Sequence, residues 1–239
     1  MDLTGRVLLV TGASRGIGRA VAVRAARDGA RVVLVARDGD ALEALAGECG
    51  EAAVAHAADV RSEAEVARLL EEVAERFGGL DVLVNNAGVM VPGPIASFGT
   101  DDFRHVFDTN VLGPFLLMRG ALPLLAGRDG ATIVNVASLA PTVAQPGLGV
   151  YAASKAALLA LTDALREEAR EGGIRVASIL PGSTRTSLFE PDGDGSWMLD
   201  PDDVADAILR VATAPPRALQ SRVEVRPVRR RRREHPPRR

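Results

Sequence analysis

Short apolar runs alternate along this chain with stretches of helical periodicity. Residues 6–10, 31–36, 52–57, 82–85, 132–136 and 175–180 are apolar or β-branched runs bounded by turn residues, and they read as strands. Residues 16–28, 41–49, 62–77, 101–125, 151–170 and 200–214 carry apolar positions at helical spacing. Ser62 and Glu65 form the pattern of a capping box, and Gly78-Gly79 stops that helix. Gly172-Gly173 stops the helix before the sixth strand, and Asp200-Pro201 opens the last helix with a cap followed by proline at its first position. Residues 222–225 supply a final edge strand. Continuous apolar strands separated by helices predict an α/β fold: a doubly wound, Rossmann-type parallel sheet with helices on both faces. Neither internal repeats nor an interdomain linker interrupt the pattern. A single domain is therefore expected over residues 1–227, with residues 228–239 as a basic, disordered tail.

Composition narrows the class. The chain has 239 residues, 47% hydrophobic and 25% charged, which excludes a disordered protein. One cysteine, Cys49, excludes a disulfide framework and a cysteine-based zinc site, and the three histidines are scattered. No apolar run approaches the roughly 20 residues of a membrane span. Residues 1–5 carry no basic leader, and 7–10 is too short for a signal core, so the protein is read as cytoplasmic. The net charge of −2 is uneven: from Arg222 onward nine arginines face Glu224 and Glu234. The Arg229–Arg233 run reads as a solvated tail, and no nucleic-acid-binding motif accompanies it. Of 29 basic residues only Lys155 is a lysine, and Tyr151 is the single tyrosine.

Candidate chemistry begins with Thr11-Gly12-Ala13-Ser14-Arg15-Gly16-Ile17-Gly18, between the first strand and the first helix. Glycines there permit a tight turn and close backbone approach, and the helix N-terminus offers free N–H groups to a pyrophosphate. The second strand ends Ala36-Arg37-Asp38. An uncharged strand end followed by Arg37, with Arg15 in the loop, favours a cofactor with a 2′-phosphate, hence NADP. Tyr151 and Lys155 are i and i+4 on one helix face. A nearby cation lowers a phenol's pKa, and an ammonium, unlike a guanidinium, can exchange its proton.

These pieces together resemble the classical short-chain dehydrogenases/reductases, over nearly the whole chain. The matching positions are the loop from Thr11 to Gly18, Asp59-Val60, Asn85-Asn86-Ala87-Gly88, Asn110, Ser138, Tyr151-x-x-x-Lys155 and Pro181-Gly182, in the family's order and spacing. The resemblance implies a catalytic set of Asn110, Ser138, Tyr151 and Lys155. Tyr151 would act as general acid or base, Ser138 would stabilise the substrate oxygen, and Lys155 would lower the Tyr151 pKa and bind the nicotinamide ribose. Asn110 would hold a water linking Lys155 to solvent. It also implies a cofactor set: Gly12, Ser14, Arg15, Gly16, Ile17 and Gly18 at the pyrophosphate and Arg37 at the 2′-phosphate. Asp59 and Val60 would lie at the adenine, and Asn86, Ala87 and Gly88 at its ribose. Tyr151, Lys155, Pro181, Gly182, Thr184 and Thr186 would lie along the nicotinamide half. Asn85 is read as a tie between strands. The segment from Glu190 to Ser196 reads as a short lid with Leu188, Phe189, Trp197 and Met198 as apolar anchors, and Arg185 as solvent-exposed. Residues 222–227 are similar to a subgroup containing NADP-dependent 3-hydroxy acid dehydrogenases and clavulanate-type reductases, which implies a homotetramer or dimer. The expected function is NADP-dependent hydride transfer to or from a small-molecule carbonyl or alcohol. A 3-oxoacyl thioester reductase and a non-catalytic dinucleotide sensor are the alternatives.

Overall fold

The computed structural model describes residues 2–143, 145–188, 194–215 and 217–229. The seven strands are β1 (Val7–Thr11), β2 (Arg31–Ala36), β3 (Ala53–Ala57), β4 (Val82–Asn85), β5 (Thr132–Val136), β6 (Arg175–Pro181) and β7 (Arg222–Val225). They form one sheet in the order β3-β2-β1-β4-β5-β6-β7, every pairing parallel. The helices are α1 (Gly16–Arg27), α2 (Gly39–Cys49), α3 (Glu63–Phe77), α4 (Thr100–Phe107), α5 (Gly113–Leu125), α6 (Gly149–Glu168) and α7 (Pro201–Ala212).

Alternation within each strand divides the core. Leu8, Val10, Val32 and Leu34 pack with α1, α2 and α7 on one face. Val7, Leu9, Val33 and Val35 pack with α3 and α5 on the other. Strands buried on both faces therefore read as unbroken apolar runs. The order reverses between β1 and β4, and at such a switch point ligands bind outside the carboxyl ends of the strands. All the candidate site residues lie at this rim. The opposite rim carries the helix-to-strand turns and the amino ends of the strands. There Arg175, itself buried, donates to the carbonyls of Ala212, Ala214 and Gly130, closing the C-terminus of α7.

Several boundaries differ from expectation. Helix α2 starts at Gly39 because the Asp38 carboxylate accepts from the Ala41 N–H at 3.0 Å and caps it. The expected capping box of α3 is half formed. Ser62 Oγ accepts from the Glu65 N–H, but Glu65 turns its carboxylate to the Asp59 N–H at 2.8 Å. The expected single helix over 101–125 is interrupted by a π-helical turn, Asp108–Leu112, between α4 and α5. Helix α6 begins at Gly149, β6 runs on to Pro181, and α7 ends at Ala212.

Candidate active site

The loop after β1 is shaped by glycine contacts that leave no room for a side chain. Gly12 has φ +65°, and a Cβ on Gly18 would stand 2.3 Å from the Gly12 carbonyl oxygen. Thr11 Oγ1 accepts from the N–H groups of Asn86 and Ala87, each at 3.0 Å, and Asn86 Nδ2 donates to the Thr11 carbonyl at 2.9 Å. The loops after β1 and β4 are thus fastened across the switch point. Helix α1 then starts with no side-chain cap and no acid in its first turn, whereas Asp38, Ser62 and Asp200 cap α2, α3 and α7. Its first N–H groups are left for an anion. The cradle fits a dinucleotide pyrophosphate. Thr186 closes over it, its Cγ2 3.2 Å from where a Cβ on Gly16 would lie. Ser14 is half-buried in the same loop, and Arg15 and Arg37 are exposed beside it.

Asp59 lies at the end of β3, its carboxylate held by the Arg61 guanidinium, with Nη2 2.6 Å from Oδ2. That pairing, against a smaller effect of burial, keeps the Asp59 carboxyl below the usual carboxylate range. Val60 is buried, with Gly113 so close that a Cβ there would stand 2.8 Å from Val60 Cγ2. Asn85 ties β4 to β5 by donating to Asn135 Oδ1 at 2.8 Å, as expected.

The chemistry-bearing side chains converge at the ends of β5 and α6. Ser138 follows β5, its Oγ accepting from the Ala140 N–H at 3.0 Å and close enough to the Tyr151 hydroxyl to favour its ionised form. Helix α6 places Lys155 one turn beyond Tyr151, Nζ 6.0 Å from the phenol ring centre. Both residues are buried, and the ammonium donates to the Val136 carbonyl at 2.9 Å. Burial pulls the Lys155 pKa down to about 8. Burial also pushes the Tyr151 phenol above its ordinary range, opposed by Ser138. The expected lowering of Tyr151 by Lys155 does not appear in this structure: burial sets the direction, and the opposing influence is that of Ser138.

Asn110 sits in the π-helical turn, fully buried. Its Oδ1 accepts from the Val89 N–H at 2.8 Å, and its Nδ2 donates to the Val89 carbonyl at 2.9 Å and to Ser154 Oγ at 3.0 Å. Both amide donors are thereby engaged, so the expected water would meet this residue at an acceptor oxygen. Ser154, which the sequence reading missed, donates in turn to the Tyr151 carbonyl at 2.7 Å. Its signal was present: a lone hydroxyl in an alanine-rich stretch, three residues after Tyr151. Gly88 faces both groups; a Cβ there would stand 3.3 Å from Asn110 Oδ1 and 3.4 Å from Lys155 Nζ.

At the end of β6, Pro181 accepts from the Leu139 N–H, and Gly182 donates to the Val225 carbonyl at 2.8 Å. Thr184 and Leu199 form a β-bridge that pins the two ends of the following loop. Trp197 and Met198 are half-buried there, while Phe189 and residues 190–193 lie outside the described residues. Arg185 is exposed as expected, yet ion-paired to Asp200, the cap of α7. Arg229 is exposed, and residues 230–239 of the expected tail lie outside the described residues. Among the described residues no cluster of potential metal ligands occurs, and no helix is long and apolar enough to cross a membrane.

A glycine-lined loop opening a helix at the switch point, with Ser138 and the buried Tyr151–Lys155 pair beside it, defines an oxidoreductase of the Rossmann class. The family model for short chain dehydrogenase matches residues 6–196. The chain belongs to that family. It is 36% identical over 230 residues to an uncharacterized oxidoreductase of Staphylococcus haemolyticus, covering 95% of this chain and 99% of that one. An uncharacterized oxidoreductase of Staphylococcus aureus strain N315 is 33% identical over the same length, with the same coverage. Among solved structures, 3-ketoacyl-(acyl-carrier-protein) reductase from Brucella melitensis, complexed with NADH, superposes with a TM-score of 0.88 at 33% identity, covering 95% of this chain and 99% of that one.

Proposed function

We propose that the protein is an NADP-dependent oxidoreductase acting on a small-molecule carbonyl or alcohol. The observation that carries the reading is the Ser138–Tyr151–Lys155 group beside the uncapped N-terminus of α1. Gly12 to Gly18, Asn86 to Gly88, Pro181, Gly182, Thr184 and Thr186 would hold the dinucleotide, with Asp59 and Val60 at its adenine end and Arg15 and Arg37 at a 2′-phosphate. Bound there, the dinucleotide supplies the hydride chemistry. Tyr151 donates its phenolic proton to the carbonyl oxygen in reduction and removes one from the alcohol in oxidation. Ser138, beside that hydroxyl, donates to the same oxygen and stabilises its developing charge. Lys155 uses one of its three donors on Val136 and keeps two for a ribose and for proton exchange. Its pKa of about 8 lets it exchange near neutrality. Asn110 and Ser154 hold the Tyr151 turn of α6 in place. The domain spans residues 1–227. The outer edge of β7, exposed at Arg222 and Glu224, is the surface through which copies would associate.

The likeness to the Brucella enzyme favours a second reading, reduction of 3-oxoacyl thioesters. The test is NADPH and NADH consumption against aldehydes, ketones, free 3-oxo acids and 3-oxoacyl thioesters, with Tyr151→Phe alongside. Preference for thioesters selects the second reading. Wild-type turnover by Tyr151→Phe overturns the mechanism. Dinucleotide binding with no turnover of any substrate supports a sensor instead.

A further inference from the structure

Two acids flank Arg37 at the rim, and both are already engaged. Asp38 caps α2 through the Ala41 N–H. Asp59 follows the neighbouring strand end, where Ala36 stands opposite Ala57 and the Ala58 N–H donates to the Ala36 carbonyl at 2.9 Å, so it shares the rim with Arg37, but it is gripped by Arg61. Arg61 Nε lies 3.0 Å from both carboxylate oxygens, Nη2 is 2.6 Å from Oδ2, and the Arg61 N–H donates to Oδ1 at 3.0 Å. The far side of the guanidinium is fixed by Nη1, 3.1 Å from His105 Nδ1 on α4. Glu65 accepts from the Asp59 N–H and completes the corner. Arg37 makes no side-chain hydrogen bond or ion pair among the described residues.

We propose that Arg61 is a positioning residue for cofactor specificity: by neutralising Asp59 it leaves the Arg37 guanidinium free for the 2′-phosphate. The proposal rests on the NADP reading given above. Carboxylates and phosphates compete for the same fork of guanidinium donors. Without Arg61, the bare carboxylate of Asp59 would draw Arg37 toward itself and repel a phosphate dianion. A dinucleotide lacking the 2′-phosphate is indifferent to that competition.

The experiment compares KM for NADPH and NADH, with an accepted carbonyl substrate, in wild type, Arg61→Gln and Arg61→Gln/Asp59→Asn. Titration of each dinucleotide by fluorescence gives the binding constants independently. In Arg61→Gln the NADPH/NADH ratio of KM should rise about tenfold, the effect of one charge contact. The Arg61 side chain is 36% exposed, so the thermal midpoint should change little. The double variant, with the stray charge removed, should return the ratio to the wild-type value. A purely structural role would raise both constants together and leave the ratio unmoved, and that result overturns the proposal. So does a double variant that fails to restore it. Wild type showing no preference for NADPH overturns the underlying NADP reading as well, which separates the two failures.

Discussion

Replacing Lys155 by Met should stabilise the protein near pH 7 while abolishing turnover. The ammonium is fully buried, and burial lowers its pKa from 10.5 to about 8. The native state therefore releases this proton more readily than the unfolded chain does. Below pH 8 both states are protonated and the full cost applies, roughly 3 kcal/mol at about 1.4 kcal/mol per pKa unit. Between pH 8 and 10.5 the unfolded state binds more protons, so the Lys155 contribution to stability rises with pH. Tyr151 works the other way: its raised pKa gives stability that is lost as pH climbs past the ordinary tyrosine range. The Tyr151 contribution is largely common to wild type and variant, so their difference isolates the lysine. Met fills a similar volume, and the loss of the bond to the Val136 carbonyl offsets about 1 kcal/mol at every pH. Denaturant unfolding of both proteins near pH 7 and pH 10 gives the two differences. The variant's relative advantage should shrink by roughly 2–3 kcal/mol between them. A difference that is flat with pH would refute the claim that a buried ammonium is the costly species.

Gly18→Ala should weaken dinucleotide binding by about 100-fold or more and lower the thermal midpoint, because its Cβ meets the Gly12 carbonyl, which cannot move aside; titration and a thermal melt check both. Tyr151→Phe should lower kcat by about 10²–10⁴ with dinucleotide affinity kept, as loss of a general acid requires; steady-state kinetics and titration decide. Arg175→Met should cost about 2–4 kcal/mol in denaturant unfolding, since it strips the carbonyls of Gly130, Ala212 and Ala214 of a buried donor, while KM values stay put. Asp38→Ala should cost about 1 kcal/mol, the value of a helix cap, and leave the NADPH/NADH ratio unchanged.

The strands were legible because a parallel sheet buried on both faces writes itself as apolar runs, and the seven observed strands fall where those runs lie. The π-helical turn at Asp108–Leu112 was not, since one inserted residue barely disturbs a helical apolar pattern. The site residues could be gathered from motif and spacing, and Asn85 was correctly separated as a strand tie. Side-chain commitments were beyond reach of spacing: that Asp38 caps a helix, that Glu65 abandons its box for Asp59, and that Arg61 folds back on its neighbour. Each depends on competition among nearby donors. The Tyr151 shift was misjudged for a related reason, because a motif displays the charge beside a phenol and conceals how thoroughly both are dehydrated.

The two rims of the sheet also divide the molecule for practical handling. The candidate site residues hang from the carboxyl ends of the strands, fastened by Thr11, Asn86, Gly182 and the bridge at Thr184. The turns on the other rim, at residues 28–30, 78–80 and 171–174, touch none of those fastenings. A tether or surface-coupling group placed at Asp28 or Glu171, both exposed, would leave the candidate site facing away from its support and open to solution.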